Sequence, residues 1–84
     1  MRLISQDGMI DVPYEYGSLS VGVGHFEDVE FSVIKYRNVS SPNGTKLAEY
    51  SSKSKALKVM EMLRNNSFWV KDVFIFPTDE EVEV

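Results

Sequence analysis

The sequence predicts an α+β domain: an antiparallel sheet of about five or six short strands, with one helix packed on one face and placed between the last two strands. Three observations predict it. Short runs of alternating apolar and polar residues fill positions 2–50, only residues 52–65 carry a helical apolar period, and a further apolar run follows at 73–76. A chain of 84 residues holds one domain. We place that domain at 1–77 and read 78–84 as an acidic C-terminal tail.

Asp7-Gly8 between alternating residues signals a two-residue type I′ hairpin pairing Arg2–Gln6 with Met9–Val12. Pro13 cannot donate to a ladder and closes the second strand. Leu19, Val21 and Val23 then share one face, and Ser18, Ser20, Gly22 and Gly24 share the other. A face as bare as Gly22 and Gly24 marks a strand covered by its own chain, or a close approach by another chain or a ligand. Residues 25–29 read as a turn and 29–37 as the longest strand. Its apolar set changes face between Val33 and Ile34, so it needs a bulge or cover on both faces. Residues 38–44 read as a loop and 45–50 as a short strand.

Ser51 or Ser52 can cap the helix. Ala56, Leu57, Met60 and Leu63 form its apolar stripe, widened by Val59 and Met62, while Lys55, Lys58, Glu61 and Asn65 face away. Asn65 or Asn66 in the left-handed region would close it. Lys53 and Lys55 sit in the first turn, where the helix dipole favours anions, and are the candidate anion contact; two solvated lysines are the plainer alternative. Val73-Phe74-Ile75-Phe76 lacks polar alternation, so both faces of that strand call for cover and one helix supplies one. Phe68, Trp69, Phe74 and Phe76 are therefore the candidate partner or dimer surface, and a homodimer is expected through them. For Phe68 and Trp69, closure of one end of the core is an equal alternative.

The formal net charge is −4, unevenly spread: residues 45–71 carry six basic and two acidic side chains, and residues 72–84 carry five acidic and no basic ones. The chain has no cysteine and a single histidine, His25, in a turn. No carboxylates converge at metal-ligand or acid–base spacing, because Asp79, Glu80 and Glu81 form a terminal run. We expect no catalytic residue, no cofactor and no metal, hence no enzyme. The opening residues lack the apolar run of a secretory leader and no stretch has membrane-span length, so a cytoplasmic protein without membrane contact is expected.

The stretches MRLISQDGMIDVPYE (1–15), AEYSSKSKALKVMEMLR (48–64) and FIFPTDEEVEV (74–84) resemble a family of small phage and prophage proteins of Firmicutes. In that family a similar start, Tyr-Ser before the helix and Phe-x-Phe-Pro-x-Asp-Glu near the end frame a variable middle. Relatives carry acidic residues in the first helical turn, where this chain has Ser52, Lys53 and Ser54. The resemblance implies a mobile-element origin and a bacterial host. It brings no activity and no site residue.

Two functions follow as expectations. The first is an accessory phage or prophage protein that binds a host or phage protein. Its sharpest form is a counter-defence, anti-CRISPR-like inhibitor, since acidic proteins occupy nucleic-acid channels by charge complementarity. The second is a small-ligand or nucleotide binder using the Gly22/Gly24 face with Lys53 and Lys55. Direct nucleic-acid binding ranks below both, because the acidic ends oppose the basic middle.

Overall fold

The computed structural model describes residues 1–65 and 69–82. Its strands are β1 (Arg2–Ile4), β2 (Asp11–Pro13), β3 (Ser18–Phe26), β4 (Val29–Asn38), β5 (Ser41–Tyr50) and β6 (Val73–Ile75). One helix, α1 (Lys53–Arg64), lies between β5 and β6, and single 3-10 turns occupy Tyr14–Tyr16 and Asp79–Glu81. The α+β class and the helix position agree with the sequence reading. The single sheet does not: the strands form two three-stranded sheets, ordered β2-β1-β6 and β3-β4-β5. Both edges of β1 are occupied, by β2 antiparallel and by β6 parallel, so β1 has no edge left for the other sheet.

In the first sheet Val12, Leu3 and Phe74 are cross-strand neighbours in one row facing the core. Pro13 is tolerated because β2 is an edge strand. The loop at Asp7-Gly8 is not the expected type I′ turn, since of the two only Gly8 has a positive φ, +77°. Asp7 acts through its side chain instead. Its Oδ1 accepts from Ser5 Oγ at 2.6 Å and from the Met9 amide at 3.0 Å. These bonds, the hydroxyl's first, hold the Asp7 carboxyl below its ordinary pKa. Two adjacent positive φ values occur at Lys71 (50°) and Asp72 (64°). They join Val70 and Val73, which exchange both backbone hydrogen bonds, at 3.0 and 2.9 Å.

The second sheet is a meander. Ile34 pairs with Ala48 but Lys35 pairs with Lys46, so Leu47 is an extra residue in β5. β4 itself pairs with β3 without interruption from Val29 to Arg37, so its mixed pattern comes from cover on both faces: Ile34 and Tyr36 lie in the core, and Val33 is buried against Gly22 on the outer face. The expected loop at 38–44 is largely strand: β4 continues through Asn38 and β5 starts at Ser41. The carbonyl of Leu47 accepts from the Gln6 amide at 2.8 Å, which joins the two sheets. The Gln6 side chain adds to that junction. Its Nε2 donates to the carbonyls of Glu49 and Pro77, both at 3.1 Å, and its Oε1 accepts from the Glu49 amide at 3.1 Å.

Ser52 caps α1, its side chain accepting from the Lys55 amide at 3.2 Å. Ala56, Val59 and Leu63 are buried, whereas Leu57 is exposed. The buried stripe is thus rotated toward Val59, and α1 packs on β4 and β5. Asn65 has φ −92° and does not take the left-handed region. Asn66 and Phe68 lie outside the described residues. The terminal run is not a frayed tail. Thr78 and Glu81 form a capping box and Val82 is buried, so the packed unit extends past residue 77.

Phe74 and Phe76 are inside the protein, 2% and 1% exposed. Phe74 lies on β6 and Phe76 just past its end, where its amide still bonds the Ile4 carbonyl at 3.1 Å, so the two, set two apart, point the same way into one core. The outward residue of that strand is Ile75. Trp69 closes the core as an aromatic chain: its ring lies 5.4 Å from Tyr14 and 5.5 Å from Phe74, which meets Phe76 edge-on at 5.2 Å. Its Nε1 donates to the Leu63 carbonyl at 2.9 Å, binding this chain to the end of α1. The premise for a dimer through Phe74 and Phe76, an uncovered phenylalanine face, is therefore removed.

Three variants test these contacts. Gln6→Ala should lower the unfolding free energy by about 1–3 kcal/mol, measured in urea, by removing three hydrogen bonds to backbone groups. Gln6→Glu should be no better at neutral pH, because a carboxylate cannot donate to the Glu49 and Pro77 carbonyls, and its deficit should narrow as the carboxyl protonates near pH 4. Separately, replacing Lys71-Asp72 by Asn-Gly should raise stability by about 0.5–1.5 kcal/mol, since both residues hold positive φ without being Gly or Asn. An unchanged urea midpoint would show that the turn carries no strain.

Candidate protein interface

The β3–β4 hairpin outruns the rest of its sheet. Residue pairing between β4 and β5 ends at Ser32–Tyr50, while β3 and β4 continue to the Phe26–Val29 pair. The chain leaves β5 here because its next groups are engaged elsewhere. The Ser51 amide donates to Asp79 Oδ1 at 2.7 Å, and Ser52 caps α1. Val29–Phe31 therefore pair with β3 alone, and a two-stranded ribbon projects beyond β5.

The outer face of this ribbon is apolar. Phe26 and Val29 face each other across the strands, 70% and 62% exposed, and Phe31 follows opposite Gly24. The Phe31 ring occupies the space a side chain at Gly24 would take: a Cβ there would lie 2.2 Å from it. Gly17 is filled in the same way by the buried Tyr36 ring, at 2.3 Å. That ring is fixed by its hydroxyl, which donates to the Pro13 carbonyl at 2.6 Å. Gly22 is different, because a Cβ there would meet Val33 at 3.6 Å, an ordinary contact. The close approach at Gly24 is made by the chain's own phenylalanine, and the bare face is not open there to a ligand.

Acidic side chains rim the tip. Glu27, which has φ 56°, and Asp28 form the turn, and Glu30 follows; all three are exposed. His25 stands opposite Glu30 on the other face, also exposed. Among the described residues no group of three or more His, Asp or Glu side chains converges to hold a metal ion.

The two candidate lysines separate. Lys55 is bound within the chain, its Nζ donating to the Asp79 carbonyl at 2.8 Å and lying 3.4 Å from Asp79 Oδ2. Lys53 is exposed at the first helical turn. Asp79 thus holds both the exit of β5 and the start of α1. The Ser51 amide, with Lys55 behind it, keeps its carboxyl below the ordinary aspartate pKa. Tyr50, buried beside it, donates to the Pro77 carbonyl at 2.7 Å, and desolvation raises its pKa. Of the four aromatic candidates, Trp69, Phe74 and Phe76 belong to the core, and Phe68 lies outside the described residues.

Phe26 and Val29 were missed in the sequence because residues 25–29 read as a turn. The available signal was the alternation of Phe26, Val29 and Phe31 through the acidic pair 27–28, which continues a strand face across a two-residue loop. No helix among the described residues is long and apolar enough to cross a membrane. No known protein family, curated protein or solved structure matches the chain.

Three glycines, Gly17 just before β3 and Gly22 and Gly24 within it, should rank in a thermal melt. Gly17→Ala should destabilise most, by about 2 kcal/mol or more, because the buried, hydrogen-bonded Tyr36 ring cannot retreat. Gly24→Ala should cost less, since the half-buried Phe31 ring can swing outward. Gly22→Ala should be neutral or stabilising, as alanine outranks glycine inside a strand. A Gly22 variant as damaged as the Gly17 variant would contradict this account.

Proposed function

We propose that the chain is a non-enzymatic accessory protein of a phage or prophage, acting in the bacterial cytoplasm by binding a protein partner through the tip of the β3–β4 hairpin. The observation that carries the reading is the projecting ribbon, on which exposed Phe26 and Val29 sit inside an acidic rim. An apolar centre with a charged border is the anatomy of a protein contact. The complementary partner surface is an apolar recess bordered by Lys or Arg. Basic nucleic-acid channels have that border, which makes a counter-defence inhibitor the sharpest version of the proposal. The small-ligand reading is less well supported, because Phe31 fills the space at Gly24 and Asp79 engages Lys55.

Immobilised protein should recover a stoichiometric partner from a Firmicutes host lysate. The Phe26→Ala, Val29→Ser double variant should lose that partner while melting within about 0.5 kcal/mol of the parent, as both side chains are exposed. Equal recovery by parent and variant would move the contact away from the tip. No recovery, combined with a nucleotide-induced rise in melting temperature, would favour the ligand reading.

A further inference from the structure

The two outer edges of the β3-β4-β5 sheet are unlike each other. The β5 edge is blunted by Pro42, the Leu47 bulge, Lys46, and Gln6, which bonds Leu47 and Glu49. The β3 edge has none of these devices. Its nine residues, SLSVGVGHF, contain no Lys, Arg, Asp, Glu or Pro, and no strand among the described residues pairs with its outer side. An unprotected edge of this length is a template for another strand. We propose that the occupant is a second copy of this chain, whose β3 pairs antiparallel with the first about a twofold axis at Val21, making one continuous six-stranded sheet.

Three features favour a second copy. The first is hydrogen-bond phase. The two-residue loop makes Phe26 and Val29 the closing, hydrogen-bonded pair, so even-numbered β3 residues bond β4, and Leu19, Val21, Val23 and His25 present N–H and C=O groups outward. With Val21 opposite Val21 of the second copy, outward groups meet outward groups along the strand. The second is a knob and a recess on the same edge. Val23 is on the helix-bearing face yet 58% exposed. A groove on that face is lined by Tyr14, Leu19, Met60 and Leu63 together with the charged Glu15 and Arg64. The Val21 register sets Val23 opposite Leu19 of the second copy, at that groove, and does so twice by symmetry. A register shifted by two residues would put His25 there instead. The third is charge: the chain is acidic, with net charge −4, yet this strand carries no acidic residue to repel its own copy.

The inference does not rest on the hairpin-tip reading, since the pairing uses the strand edge and leaves the face carrying Phe26, Val29 and Phe31 open. Sedimentation equilibrium of the whole protein at about 100 µM should give twice the 9.6 kDa chain mass. Val23→Lys, at an exposed site, should give a folded monomer. The chain has no cysteine, so Val21→Cys should form an intermolecular disulfide rapidly on mild oxidation, and Val39→Cys, at a fully exposed turn, only slowly. A parent of single-chain mass overturns the proposal. So does a dimer that survives Val23→Lys, or equal cross-linking at positions 21 and 39. None of these results depends on whether a lysate partner is captured.

Discussion

One primary amide organises the molecule. The Gln6 side chain stands where another strand residue would, giving a donor and an acceptor to Glu49 and a second donor contact to Pro77. Its own backbone N–H meets the Leu47 bulge. Neither sheet can extend to the other by ordinary pairing, because β1 is flanked on both sides and β5 bulges at Leu47, between Lys46 and Ala48. An amide side chain carries both kinds of hydrogen-bonding group of a peptide unit on a short tether, so it can bridge two ladders that do not align. Neighbouring groups depend on the same junction: Tyr50 shares the Pro77 carbonyl, and Asp79, two residues on, fixes the start of α1.

This junction gathers the first loop, the end of β5 and the Phe-Ile-Phe-Pro-Thr-Asp run. These parts, distant in sequence, form one hydrogen-bonded cluster. The segment they leave free is the β3–β4 hairpin. The molecule thus divides into a wired base, where side chains repeatedly satisfy backbone groups, and a ribbon whose far end is held by strand pairing alone. A binding surface borne on such a ribbon can change its side chains at little cost to the base.

Much of the fold was legible. The α+β class, the helix and its serine cap follow from periodicity and a side-chain acceptor, both local properties. The change of apolar face between Val33 and Ile34 called for a bulge or for cover on both faces; cover on both faces is the outcome, and the bulge lies in the neighbouring β5. Long-range facts were not legible: β1 pairs with β6 from the other end of the chain, and no local pattern encodes that partner. Phe74 and Phe76 illustrate the point. Their density implied surplus apolar surface, but two residues of one parity need only one core, and Leu3, Trp69 and α1 supply it. The acidic run at 79–81 looked solvated because its partners, Ser51 and Lys55, lie far back in sequence. The site was the least legible part. An exposed aromatic in a turn differs from a buried one only through the length of the strands around it.

The parallel pairing of β1 with β6 also sets the order in which the protein can be made. On a growing chain, β3, β4 and β5 can pair with their immediate predecessors, whereas Arg2–Ile4 must wait until Val73–Ile75 has been synthesised before its second edge is filled. Leu3, fully buried at the end, lacks its β6 neighbour Phe74 throughout that interval. Closing the ends of the chain upon each other is the contact of greatest sequence separation in the fold, and such closure slows folding more than the local meander does. A nascent chain stalled before residue 73 thus lacks β6 and everything that follows it at the Gln6 junction. The bare β3 strand, by contrast, is complete once residue 26 has been added, long before β6 exists.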